Sequence, residues 1–219
     1  MIVVANTPNL VDRFVPPPEP LLSGRWRLFR FTRSDAEELV RLGRIPEDAS
    51  TELLNGMIVL TDRSARDQDP TMVGPDHRKC VEKLSSLRKS IDNEGRHVES
   101  QQPLVCSETH VPQPDFMILR GTLDQYQDLP TAADAFCVVE VADSSYERDA
   151  GEKLEAYARA GIAQYVIVNL RNRTAEVYVN PNVASGTYSP ATIIDAGGTL
   201  SLRGGESEAL DFLMAAVLP

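Results

Sequence analysis

The spacing of apolar positions divides the chain into helical and extended stretches. From about Asp76 to Asn93, the residues Val81, Leu84, Leu87 and Ile91 recur at helical spacing, which predicts a long amphipathic helix ending near Gly95. Upstream, FTRSDAEELVRL (Phe31 to Leu42) predicts a shorter helix. Thr32 or Ser34 can cap it, acids occupy its first turn, and Gly43 stops it. Between the two lies TELLNGMIVLT, where Asn55-Gly56 separates two short apolar runs and predicts a hairpin whose first strand carries Glu52. The polar stretch at 63–75 predicts a loop.

The second half alternates with the shorter period of strands. HVES, PLVCS and DFMILR predict strands separated by turns. FCVVEVA is a continuous apolar run broken by one carboxylate, the pattern of a strand buried on both faces. AGEKLEAYARAG follows as a helix stopped by Gly161. QYVIVNL is a second buried strand, RNRT a turn, and AEVYVN a strand that pairs back. The tail from Gly197 to Leu218 predicts one more strand and a short closing helix over EALDFLMAAVL. This order predicts an α/β (α+β) domain with a mixed central β-sheet, the helix at 76–93 on one face and the helix at 148–160 on the other. The expected division is an irregular Pro-rich arm over 1–25, containing PPPEP, and one domain over 26–219.

Composition narrows the function classes. A chain of 219 residues with 42% hydrophobic and 25% charged residues is an ordinary globular mix. No apolar run reaches the roughly 18 residues that span a bilayer, and MIVVANTPNLVDRF lacks the basic and apolar regions of a signal peptide. Three scattered cysteines without CxxC spacing fit reduced thiols in a cytoplasmic protein. The net charge of -10 opposes strong binding of nucleic acid, which phosphate neutralisation drives. Arg78, Lys79, Lys83, Arg88 and Lys89 gather positive charge on one helix, as a local patch or simply as a solvated face.

Glu140 is the sharpest chemical signal. A carboxylate inside a core strand is costly unless it is paired or binds a cation; the alternative is a strand end facing solvent. Pro114-Asp115 precedes FMIL and sets a second carboxylate at the start of another strand. Two such groups can present oxygens to one hard divalent cation. Lys153 lies near the start of the following helix, from which an ammonium can return over the carboxylates, or can stand exposed.

The Pro-Asp pair, VVEVADSS, GEKLEAYARAGIAQYVIVN and AEVYVN, with FTRSDAEEL, TELLNGMIV and His77 before them, resemble the Uma-type restriction endonuclease family of the PD-(D/E)XK nuclease superfamily. The likeness runs from about Phe31 to Leu218 as short motifs in fixed order. It implies a restriction-endonuclease-like fold. It matches Asp115 and Glu140 to metal-binding acids, Lys153 to a lysine that has moved from strand to helix, and Glu52 to a further acid of the catalytic set. In the wider superfamily the lysine stands two residues after the acid, and here that position is Ala142. His77 matches a histidine opening the long helix, with an N-cap or surface role as its alternative. Ser144 matches a loop position, and Tyr157 lies four residues after Lys153, where it packs on the lysine stem.

The implied activity is hydrolysis of DNA phosphodiesters with Mg2+ or Mn2+ held by Asp115 and Glu140. DNA is the implied partner, weakly or through a local patch, and a homodimer is expected by analogy. The competing reading is a nuclease fold without effective catalysis, serving as a binding module. A serine hydrolase using Ser144 or Ser145 lacks a GxSxG elbow, and no GxGxxG or Walker loop supports nucleotide binding.

Overall fold

The computed structural model describes residues 29–46, 49–60 and 74–219. The arm expected at 1–25 lies outside the described residues, as does nearly all of the loop expected at 63–75. The first helix, α1 (Arg33–Arg41), is capped by Thr32 and not by Ser34. Thr32 and Asp35 form a reciprocal capping box, with the Asp35 carboxylate accepting from the Thr32 amide at 2.8 Å. The predicted hairpin forms as β1 (Thr51–Leu54) and β2 (Met57–Leu60). Asn55 and Gly56 take positive φ at its turn, the conformation that Asn-Gly adopts most readily.

The helix expected over 76–93 is interrupted. It divides into α2 (Pro75–Ser86) and a single turn, α3 (Arg88–Ile91). A six-stranded mixed sheet follows: β3 (Arg96–Glu99), β4 (Phe116–Arg120), β5 (Ala135–Ala142), β6 (Gln164–Asn169), β7 (Thr174–Val179) and β8 (Thr192–Asp195), side by side in that order. All neighbouring pairs are antiparallel except β5 and β6, which are parallel. That one parallel step requires a crossover. The helical segment between them supplies it as α4 (Tyr146–Arg148), a π turn (Asp149–Lys153) and α5 (Leu154–Arg159).

Two expected elements are different in the structure. PLVCS is not a strand: Pro103 has no amide to donate, and this stretch makes only single bridges, Val105 with Thr131 and Ser107 with His110. EALDFLMAAVL is helical only near its end. Ala209–Leu213 forms β10 against β9 (Thr199–Arg203), and only Met214–Val217 closes as α6.

Alternation along β5 sends side chains to two separate cores. Cys137, Val139 and Val141 join Val81 and Leu84 of α2, together with Leu200, Leu202, Met214 and Val217 from the tail. Val138 and Ala142 join Tyr157, Ile162 and Tyr165 on the opposite face. The long helix and the crossover helix therefore lie on opposite faces, as expected. Among the described residues, no helix is long and apolar enough to cross a membrane.

Candidate active site

Glu140 shares the parity of Val138 and Ala142, so its carboxylate enters the core under the crossover helix. It is 3% exposed. The solvent-facing alternative is excluded. Its Oε1 accepts from Lys153 Nζ at 2.9 Å and from the Tyr157 hydroxyl at 2.7 Å. Lys153 is equally buried, and its Nζ also pairs with Glu52 Oε1 at 3.2 Å. An exposed helical lysine is likewise excluded. Lys153 reaches this position because the π turn widens the helix ahead of α5, a distortion that recurs at functional sites.

Asp115 stands one residue before β4. Continuing the register in which Phe116 faces Val139 sets Asp115 opposite Glu140 on the adjacent strand. Its Oδ2 accepts from the Val141 amide at 2.9 Å and from His77 Nε2 at 3.0 Å. Its Oδ1 accepts only a longer contact, 3.4 Å, from the Gln101 side chain. His77, in the first turn of α2, is thus neither the N-cap, which is Gly74, nor a surface residue. Donation to Asp115 places a hydrogen on Nε2, and the other ring nitrogen, Nδ1, is buried without a partner.

Glu52 completes the cluster from β1. Its Oε1 accepts from the Gln113 amide at 2.7 Å, while Oε2 is buried with no hydrogen bond. Asp149, in the π turn, is a fourth buried carboxylate that the sequence reading passed over. Ser145 Oγ donates to its Oδ2, and its Oδ1 is unpartnered. A signal for it was present, since an acid four residues before Lys153 on one helix shares a face with it. The Tyr157 hydroxyl was missed too: it binds Glu140, beyond packing on the lysine. Ser144 is exposed, which suits its expected loop role.

Charge distributes unevenly here. Burial pushes the Glu140 carboxyl upward, and the neighbouring Asp149, Asp115 and Glu52 add to this against Lys153, leaving it at about 8. Burial would also raise Asp115, but the His77 hydrogen bond and charge, the Val141 amide and Lys153 outweigh it and hold the group low. Burial opposes the Lys153 ammonium, yet Glu140, Glu52 and Asp149 hold it firmly charged. The cluster therefore sets four buried carboxyl groups around Lys153, with unpartnered oxygens on Glu52 and Asp149.

Hard oxygen donors in such excess suit Mg2+ or Mn2+. Among the described residues no group of three or more His, Cys, Asp or Glu side chains converges to hold an ion. Magnesium is usually bound by one or two carboxylates, with water and substrate completing its shell. Asp115 and Glu140, opposite each other on paired strands, are the pair that could hold it.

The basic helix offers less than its composition suggests. Lys79 pairs with Asp76 at 2.8 Å, Lys83 donates to the Ala215 and Leu218 carbonyls, and Arg88 lies 4.0 Å from Asp92. Much of that charge is spent within the chain.

Comparison with known proteins bears on the family and the fold. Residues 36–210 match the model of the Uma2 family, described as "Putative restriction endonuclease". No curated protein matches the chain. Among solved structures, a "putative nuclease belonging to DUF820" from Anabaena variabilis ATCC 29413 superposes with a TM-score of 0.58 at 11% identity, covering 82% of this chain and 98% of that one. At that identity the likeness concerns the fold.

Proposed function

This chain belongs to the Uma2 restriction endonuclease family, and from that premise we propose that it is a metal-dependent endonuclease hydrolysing DNA phosphodiesters at the cluster of Asp115, Glu140, Lys153 and Glu52. The observation that carries the proposal is the burial of Lys153 against Glu140 and Glu52, beside an aspartate in register with Glu140. A merely structural ion pair would need one carboxylate, and excess buried carboxylate is costly without a further cation.

Asp115 and Glu140 would hold Mg2+ or Mn2+, which supplies Lewis acidity toward the phosphate and a more acidic water. The chain's own groups have separate tasks. His77 and the Val141 amide fix Asp115 in its ionised form, so that Oδ1 is the oxygen left for a ligand. Tyr157 and Lys153 both hold Oε1 of Glu140, which orients that carboxylate and directs Oε2 away from them. Lys153, always charged, places an ammonium where negative charge grows on the attacked phosphate, and Glu52 aims it. Cytoplasmic location and a homodimer accompany this reading by analogy with enzymes that cut two strands.

The acidic balance and the internally paired basic residues of α2 favour one second reading, a weakly catalytic protein of the same fold that binds its partner through the cluster. One assay separates them. Purified protein is incubated with supercoiled plasmid in Mn2+, in Mg2+ and with chelator, beside Asp115→Ala. Metal-dependent nicking by the wild type alone supports the nuclease; equal nicking by both proteins would falsify this centre as its source.

A further inference from the structure

Arg148 ends α4, five residues before Lys153 and at the mouth of the same π turn. Every other cation discussed around the crossover is committed. Lys153 serves Glu140 and Glu52. Arg159 serves Glu155 and the carbonyls of Ala184 and Ser185. Arg171 pairs with Asp143 at 3.3 Å. Among the described residues, the Arg148 guanidinium makes no ion pair and no hydrogen bond, and its Nε is buried without a partner.

This isolation is unusual because acceptors are close. The charge of Arg148 reaches both neighbours: it helps to hold the Glu52 carboxyl low, and it opposes the rise that burial imposes on Asp149. Each of those residues has a buried oxygen without a partner, Glu52 Oε2 and Asp149 Oδ1. The guanidinium lies in the field of two carboxylates that each have an unpartnered oxygen, and it pairs with neither. Buried donors and acceptors are normally satisfied in the working state. The groups here are complementary to something that presents anionic oxygens to the arginine and a cation to the carboxylates. A phosphodiester accompanied by a divalent cation has both. Arginine is also the side chain whose planar fork matches phosphate oxygens in pairs.

We propose that Arg148 is the phosphate-binding residue of this centre, gripping the non-bridging oxygens of the scissile or an adjoining phosphodiester. The inference rests on the nuclease reading for its substrate, and on the unpartnered guanidinium for its residue. It also addresses the acidic charge of -10. With Lys79, Lys83 and Arg88 facing partners within the chain, the reacting phosphate still needs a cation of its own, and Lys153 is tied to carboxylates.

The test is the salt dependence of binding. A fluorescein-labelled DNA duplex is titrated with the full chain in calcium over a series of KCl concentrations, using wild type, Arg148→Ala and Arg148→Lys. Losing one phosphate contact makes the slope of log K against log salt shallower by about 0.9. Arg148→Ala should show that change with weaker binding, and Arg148→Lys should keep both the wild-type slope and the wild-type thermal midpoint. An unchanged slope in Arg148→Ala overturns the proposal. So does an equal loss in both variants with a lowered midpoint, which is the mark of a structural role, and so does a wild type that does not bind DNA. A plasmid assay run alongside keeps the two readings apart. Arg148-dependent binding without metal-dependent cleavage leaves this site standing and removes the nuclease. Cleavage with an unaltered Arg148→Ala slope does the reverse.

Discussion

At the scale of the residue, Glu140 sets the electrostatics of the molecule. Its carboxyl lies at about 8 in the folded chain, against 4.5 for an unperturbed glutamate. Between those values the folded state binds a proton that the unfolded state has released. Stability without metal therefore falls as pH rises from about 4.5 to about 8, and levels above that. Asp115 and Glu52 act in the opposite sense, since both are held low and lose their contribution only in acid, below the ordinary carboxylate range. Urea denaturation from pH 5 to 9 should show the decline in wild type and a much flatter curve in Glu140→Gln. A decline of the same size in both would mean that another group carries it. Lys153 works by the same rule in reverse: removing it leaves Glu140 and Glu52 buried without their cation, so Lys153→Ala should lose on the order of 3–5 kcal/mol at pH 8. Added Mg2+ should restore part of that loss in a thermal melt. A melt indifferent to both changes would remove Lys153 from the cluster.

The element that matters most is the π turn. Its residues 149–153 carry Asp149 and Lys153 into the core while Arg148 stays at the mouth. Gly151 sits within it with open space where a Cβ would be. Gly151→Ala should therefore stabilise the chain by roughly 0.5–1 kcal/mol with cleavage unchanged. Deleting Gly151 instead draws the turn toward an α-helix and rotates Lys153 by about 100° relative to what precedes it, which should abolish cleavage while helical circular dichroism persists. Retained cleavage in the deletion would show that the widened turn is dispensable. This turn was not legible in the sequence, because AGEKLEAYARAG has ordinary helical periodicity and a π turn leaves no apolar signature. The strands around it were legible. The unbroken apolar runs FCVVEVA and QYVIVNL form the central parallel pair, and Asn55-Gly56 fixed the hairpin that delivers Glu52. The tail misled for a physical reason: Leu210, Phe212 and Met214 alternate as a strand does, but the following AAV run extends a helical pattern across them. Residue roles were legible only where burial was implied. The lone acid of β5 stood out, whereas the His77–Asp115 hydrogen bond joins positions 38 residues apart and needs the fold to appear.

The whole molecule must bind an anion while carrying a net charge of -10. The basic residues of α2 and α3 change that balance little, since Lys79, Lys83 and Arg88 face partners within the chain. DNA binding should accordingly depend on few phosphate contacts, with a salt slope of about -1 to -3. A slope of about -6 or steeper would point to a basic surface beyond the described residues. The fold nonetheless gathers α2, β1, β4, β5 and the crossover helix onto one point, and the central claim is that their side chains act there as one metal-dependent centre. Groups that act as a unit lose activity together, not in proportion. The most direct measurement is the single-turnover cleavage rate of plasmid DNA in Mn2+ for wild type, Asp115→Ala, Lys153→Ala and the double variant. Each single change should cost on the order of 10³-fold, and the double should be no slower than the worse single. Losses that multiply, or cleavage by Asp115→Ala at the wild-type rate, would contradict a single centre built on Asp115, Glu140 and Lys153.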